Sequence, residues 1–163
     1  VIGLNLCPFA KAVHVRQQIR YVVSTAFDIE SLLFDLGHEL QVLNDSDSES
    51  IDTILLIHPQ VLTDFLDYND FLDLADALLE ERGYLGEFQI ASFHPAYQFA
   101  GTTSDAIENY TNRSPFPMLH LLRESSIDRA VDAFPDAAEI FEKNIATMNH
   151  LGKQGWISLF AEK

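Results

Sequence analysis

The sequence predicts an α/β domain, a small mixed sheet of about four strands with helices packed on it; an α+β arrangement such as the ferredoxin-like sandwich is the close alternative. Three observations carry this expectation. Short β-branched and aromatic runs alternate with longer stretches of helical periodicity. Helical stretches separate the first three runs, which favours parallel strands, whereas no clear helix precedes the fourth, which favours an antiparallel return. The 163 residues, 47% hydrophobic and 21% charged, suit one globular domain able to fold without disulfides or metal.

Each element has a local reason. Pro8 suits the first turn of a short helix through Phe9, Ala10, Ala12 and Val13 to about Gln18, because its missing N–H costs nothing there. Ile19 to Ala26 is β-branched and aromatic and reads as the first strand. Asp28 caps a helix whose Leu32, Leu33, Leu36, Leu40 and Leu43 recur at helical spacing, with Gly37 a local weakness of about 1 kcal/mol. A polar loop over 44–50 leads to the apolar run Thr53–Ile57, the second strand. Leu62, Phe65, Leu66, Phe71, Leu72, Ala75, Leu78 and Leu79 mark a long amphipathic helix ended by Gly83, with Asp64, Asp67, Asp70, Asp73, Asp76, Glu80 and Glu81 on its outer face. Glu87–Phe93 is the third strand, and 96–116 is a long loop. Met118–Leu122 is the fourth strand. Helices follow over Ile127–Phe134 and from Pro135 to about Leu151, with Gly152 as the stop.

Charge narrows the function classes. The formal net charge is −15, and such a field repels nucleic acid and anionic lipid. Its distribution is uneven. Residues 1–27 hold Lys11, Arg16 and Arg20 and no acid, whereas residues 28–87 hold sixteen Asp or Glu against Arg82 alone. The acidic stretch reads as solvated surface, and the basic end is either part of a neutral remainder or a pole for an anionic ligand. No apolar run approaches the roughly 18 residues of a membrane span, and no signal-peptide pattern is visible. The lone Cys7 permits no internal disulfide, which suits a reducing, cytoplasmic setting.

The candidate chemistry gathers at one edge of the expected sheet. Two strands end alike, in Ile57-His58-Pro59 and Phe93-His94-Pro95. Parallel and adjacent, they would bring two imidazoles to neighbouring positions about 4.8 Å apart at the carboxyl edge, where open α/β sheets bind ligands. An antiparallel fourth strand would re-enter there with His120. His58, His94 and His120 could then hold a divalent metal through neutral imidazoles, although no metal-binding spacing is present; otherwise each histidine closes a strand end. The loop adds Tyr97, Asn112 and Arg113, and Arg123 follows the fourth strand. Arg113 is the only base between Arg82 and Arg123 and could clamp a carboxylate or phosphate, or else bind loop carbonyls. Cys7, before Pro8, is expected at a helix N-cap, where the helix dipole and Lys11 favour thiolate, with His94 or His120 as base. Its alternative is a small buried hydrophobe.

Several segments are similar to a known family: Asn5-Leu6-Cys7-Pro8-Phe9-Ala10; Phe93-His94-Pro95 with Tyr97 and Phe99-Ala100-Gly101; Asn112-Arg113-Ser114-Pro115; and Pro117-Met118-Leu119-His120-Leu121-Leu122-Arg123-Glu124. They resemble the bacterial family called domain of unknown function 1415, over most of the chain. The resemblance implies a bacterial, cytoplasmic protein. It implies no activity and carries over no catalytic residues.

Two function classes follow from the residues. The first is an enzyme on a small anionic molecule, with His94 and His120 as acid and base, Arg113 as anion clamp, and Cys7 as nucleophile or substrate contact. The second is a non-catalytic module that binds a metal, a metabolite or a basic protein through its acidic helix faces. Nucleotide binding is not supported, since Gly83 and Gly86 match neither G-x-G-x-x-G nor a P-loop.

Overall fold

A computed structural model describes residues 2–7, 9–133 and 139–160 of the chain. The elements are α1 (Ala10–Val15), β1 (Ile19–Val23), α2 (Ile29–Asp45), β2 (Thr53–Ile57), α3 (Phe65–Glu81), β3 (Phe88–Phe93), a 3-10 turn (Ile107–Thr111), β4 (Met118–Arg123), α4 (Glu124–Asp132) and α5 (Glu139–Ser158). The sheet runs β1-β2-β4-β3. β1 is parallel to β2, and β4 is antiparallel to both β2 and β3. This is the expected α/β fold with a mixed four-stranded sheet. It is not the ferredoxin-like alternative, because helices join β1 to β2 and β2 to β3 and none joins β3 to β4.

Both crossovers step the same way across the sheet, so right-handed connections put α2 and α3 on the same face. Leu32, Leu36, Leu40 and Leu43 of α2 and Phe71, Ala75 and Leu79 of α3 meet Ile54, Leu56, Leu119 and Leu121 of the sheet there in one core. Each such side chain contributes about 1.5–3 kcal/mol when fully buried. Gly37, the expected weak point of α2, has a packing reason: a Cβ on it would lie 3.3 Å from Arg82 Nη2 of the neighbouring helix end. Asp28 accepts from the Ser31 N–H, as an N-cap should. Among the described residues, no helix is long and apolar enough to cross a membrane.

Several boundaries differ from expectation. β1 stops at Val23: the Ser24 N–H makes the last bond to β2, at the Ile57 carbonyl, and its hydroxyl accepts from the Ala26 N–H as the chain turns. α3 begins at Phe65, not Leu62, because Asp64 caps it through the Leu66 and Asp67 N–H groups. Leu66 then faces solvent. α4 starts at Glu124, ahead of the expected Ile127, and takes Ser125 and Ser126 inside it. α5 bends at Gly152 (φ 66) instead of stopping. Pro8, Phe134, Pro135 and Ala138, to which helical roles were given, lie outside the described residues.

Arg123 shows how sheet and helices are tied. It sits on the core side of β4, and its guanidinium donates to the carbonyls of Leu43, Ser46 and Ile51 at 2.6–3.3 Å. These oxygens end α2 and open the way to β2, so one cation satisfies groups that the helix end leaves unpaired. It acts as a structural cap, with its Nε and Nη2 donors on backbone oxygens in place of the anion expected there. Arg123→Met keeps the aliphatic stem and removes the donors. It should lower stability by about 1.5–3 kcal/mol in urea denaturation, with the fold intact by far-UV circular dichroism.

Candidate functional site

β1, β2 and β3 share a direction, so His58 and His94 do leave the sheet at the same edge. They are not neighbours. β4 lies between their strands and sets them two spacings apart, roughly 9.6 Å. Tyr68 of α3 fills the gap, with its ring centroid 5.8 Å from His58 and 5.0 Å from His94. The phenol also enters the sheet. Phe93 and Met118 are register partners, and the Tyr68 hydroxyl accepts from the Phe93 N–H at 3.0 Å and donates to the Met118 carbonyl at 2.8 Å. One hydroxyl thus bonds both members of the last β3–β4 pair. Burial pushes its ionisation well above the ordinary tyrosine range.

The two histidines grip the loop between β2 and α3. His58 Nδ1 lies 3.0 Å from the Val61 carbonyl, and His94 Nε2 lies 3.2 Å from the Leu62 carbonyl. A carbonyl only accepts, so both of these nitrogens carry hydrogen. His94 Nδ1 in turn accepts from the Ala96 N–H. Both ring nitrogens of His94 are therefore engaged by backbone. Among the described residues, His58 Nε2 is buried without a hydrogen-bond partner. Between the grips, Leu62 has φ 56, a left-handed conformation that costs a leucine about 1–3 kcal/mol. Burial is the main reason that both imidazoles are harder to protonate than usual; the Asp64 carboxylate pulls weakly the other way on His94.

The gripped loop is one wall of a groove of about 840 Å³. Val61, Leu62 and Thr63 form that wall, Phe27 and Ile29 the opposite one, and Phe71 and Leu74 of α3 continue the apolar lining. Five carboxylates line it: Asp28, Glu30, Asp64, Asp67 and Asp70. None of them forms an ion pair among the described residues. Asp28 and Asp64 spend part of their charge on helix N–H groups, which leaves Glu30, Asp67 and Asp70 as the strongest draw for a cation.

The remaining expected residues are scattered. His120 pairs with Leu55 and Ala91 within the sheet, on the face opposite Leu119 and Leu121. Its Nε2 lies 2.7 Å from Thr53 Oγ1, whose own hydrogen goes to the Leu121 carbonyl, so the imidazole is the donor. Burial holds its pKa down to about 4. The expected meeting of His58, His94 and His120 is therefore corrected: the insertion of β4 and the two-residue alternation of a strand put His120 on the other side. Among the described residues, no group of three His, Cys, Asp or Glu side chains could hold a metal ion. Arg113 donates to the Tyr97 and Ser104 carbonyls and lies 4.2 Å from the centre of the Tyr110 ring, the loop-bracing alternative. Asn112 bonds the Ser92 carbonyl, and its own carbonyl receives the His94 N–H. Tyr97 packs on Phe65 and Phe99. Cys7 is half-buried and lies two residues before Phe9, which rather than Cys7 is the N-cap of α1; Lys11 is exposed. No hydrogen bond joins Cys7 to a histidine among the described residues. Arg20, counted in the basic pole, is bound through two nitrogens to buried Glu39 at 2.7 and 3.1 Å.

The family model described as a protein of unknown function (DUF1415) matches residues 1–158. The chain belongs to the DUF1415 family. No curated protein matches it, and no solved structure does. The segments that carry the DUF1415 resemblance now have physical roles. His94 and Asn112 hold the β3 exit, Arg113 braces the loop, and Arg123 caps α2.

Sequence reasoning missed Tyr68, the centre of this candidate site. The signal was present: Tyr68 sits three residues from both Phe65 and Phe71 on the inward stripe, where a hydroxyl needs a partner. Glu39 gave a similar signal, lying between Leu36 and Leu43 on the buried face of α2. Tyr68→Phe should cost about 1–3 kcal/mol in urea denaturation, since it leaves a strand N–H and a carbonyl without their bridge. A pH effect follows from His58, His94 and His120. All three are harder to protonate in the folded chain, so below the ordinary value of 6.5 the unfolded chain binds more protons and stability falls with pH. For His120 the loss runs from about 6.5 down to about 4, at no more than roughly 1.4 kcal/mol per pH unit. Denaturation series across that window should show the slope, and His120→Leu should make it shallower.

Proposed function

We propose that this chain is a non-catalytic protein-interaction module whose groove receives a cationic, apolar-anchored segment of a basic protein. The observation that carries this reading is the groove itself: an apolar floor edged by five carboxylates that form no ion pair among the described residues. Apolar side chains of a bound segment would bury against Phe27, Leu62 and Leu74, while its Lys or Arg residues meet Glu30, Asp67 and Asp70. Such an arrangement gives both affinity and steering toward a chain of net charge −15.

The enzyme reading has less support. An acid–base imidazole needs a nitrogen open to substrate, and both nitrogens of His94 bind backbone while His120 stands on the other sheet face. The anion clamp would need Arg113 to leave two carbonyls. A cytoplasmic setting and a bacterial source fit the single unpaired Cys7 and the family.

The test is fluorescence anisotropy with a labelled amphipathic Lys/Leu peptide and a Glu/Leu peptide of the same length. The Lys/Leu peptide should bind, more weakly as salt rises, and the Glu/Leu peptide should not. Asp67→Lys with Asp70→Lys should weaken binding by about tenfold or more. Equal binding of both peptides, or no effect of the charge reversals, would refute the groove as the docking site.

A further inference from the structure

Among the described residues the outer edge of the sheet at β1 is open, and its chemistry fits a second copy of the same strand. β1 bonds β2 through alternate residues. The Gln18 carbonyl accepts from Asp52 and Thr53, and the Ser24 N–H donates to Ile57. Backbone direction alternates along a strand, so Gln18, Arg20, Val22 and Ser24 face β2. Ile19, Tyr21 and Val23 then turn their N–H and C=O groups to the free edge. Tyr21 and Val23 are also 58% and 65% exposed on the sheet face away from α2 and α3.

Natural edge strands usually carry a guard, such as a lysine, a proline, a bulge or an inward-pointing charge. β1 carries no lysine and no proline. Its one inward-pointing charge, Arg20, is bound to Glu39 of α2 through two nitrogens, which offsets that guard. The surroundings are unusual for this chain too. Residues 1–27 contain no acid although the net charge is −15, and the carboxylates that reach β1 and its flanks, Asp35, Glu39 and Glu49, are each bonded to Ser24, Arg20 or Gln18, so two copies can approach here without a free carboxylate of β1 on either side.

We propose that β1 pairs antiparallel with β1 of a second copy about a two-fold axis at Tyr21, making one continuous eight-stranded sheet (4 + 4). The register is self-complementary. Tyr21 faces Tyr21 of the second copy, and Ile19 faces its Val23, each pair exchanging two N–H···O bonds. Arg20 falls opposite Val22 of the second copy, so no like charges meet across the axis. The interface is isologous and closes at two copies, which an edge with unguarded backbone needs if it is not to recruit further strands. The inference rests on β1 alone and stands apart from the groove reading.

Sedimentation equilibrium on the full chain tests it, together with hydrogen exchange of the Ile19, Tyr21 and Val23 amides. The expected mass is twice 18.4 kDa at high concentration, with those three amides protected in step with dimer formation. Tyr21→Lys, and separately Val23→Lys, should weaken association by about tenfold or more while thermal unfolding stays cooperative. A monomer throughout the micromolar range would overturn the proposal, as would a dimer that survives both substitutions or leaves the three amides unprotected. Amides protected only when an extended foreign peptide is added would assign the edge to another protein and overturn it equally.

Discussion

The Tyr68 hydroxyl is the contact on which the candidate site at this sheet edge depends. A β ladder closes its last rung between strand partners. Here a side chain from the covering helix also joins that rung, accepting from the Phe93 N–H and donating to the Met118 carbonyl. The consequence spreads in three directions. α3 is fixed to the exit of β3, the ends of β3 and β4 share one hydroxyl, and the ring becomes the spacer on which His58 and His94 pack. A purely apolar residue could fill the volume but would leave a donor and an acceptor unsatisfied, which is the costlier state for half-buried backbone.

The histidines act as backbone binders, a role that their chemistry suits. A neutral imidazole offers one donor and one acceptor in a rigid plane, so it can hold a loop carbonyl on one side and accept an N–H on the other. His94 does both. Burial favours this neutral form and sets the low pKa values, so the titration behaviour is a result of the bracing. The loop held in this way contains Leu62 at positive φ, a conformation that an unsupported leucine would leave.

Much of this was legible in the sequence, for identifiable reasons. Hydrophobic periodicity located β2 to the residue, because a polar loop and a His-Pro pair bound it sharply. The antiparallel return of β4 followed from the missing helix, and the shared edge of His58 and His94 followed from the shared strand direction. Adjacency was not legible. Strand order depends on which long-range pairing wins, and the insertion of β4 between β2 and β3 leaves no local trace. The same insertion carried His120 away from the other two. Arg113 and Arg123 were read as polar residues with two possible uses. Only coordinates could show that carbonyl oxygens, which every sequence supplies invisibly, were their partners. The groove was hidden for a related reason: its acids read as a solvated helix face, and the loop wall opposite belongs to no periodic element.

Two departures from good folding practice share one short loop. A leucine in the left-handed region and an imidazole nitrogen buried without a partner among the described residues occur within five residues of each other. Asn5 and Gln17 also take positive φ, whereas α2 and α3 have side-chain caps, Arg123 binds the end of α2, and buried Glu39 has its arginine. Strain and unsatisfied polarity persist where the surroundings over-determine them, and they concentrate where a surface must keep a particular shape. Here that surface is the groove wall formed by Val61, Leu62 and Thr63. A loop that served only to connect β2 to α3 would have no need of either cost, since a glycine at position 62 would relieve the first and a glutamine at 58 could seek a partner for the second. The combination of a strained wall with two strand-end histidines dedicated to holding it is what ties the His-Pro motifs of the sequence to the groove.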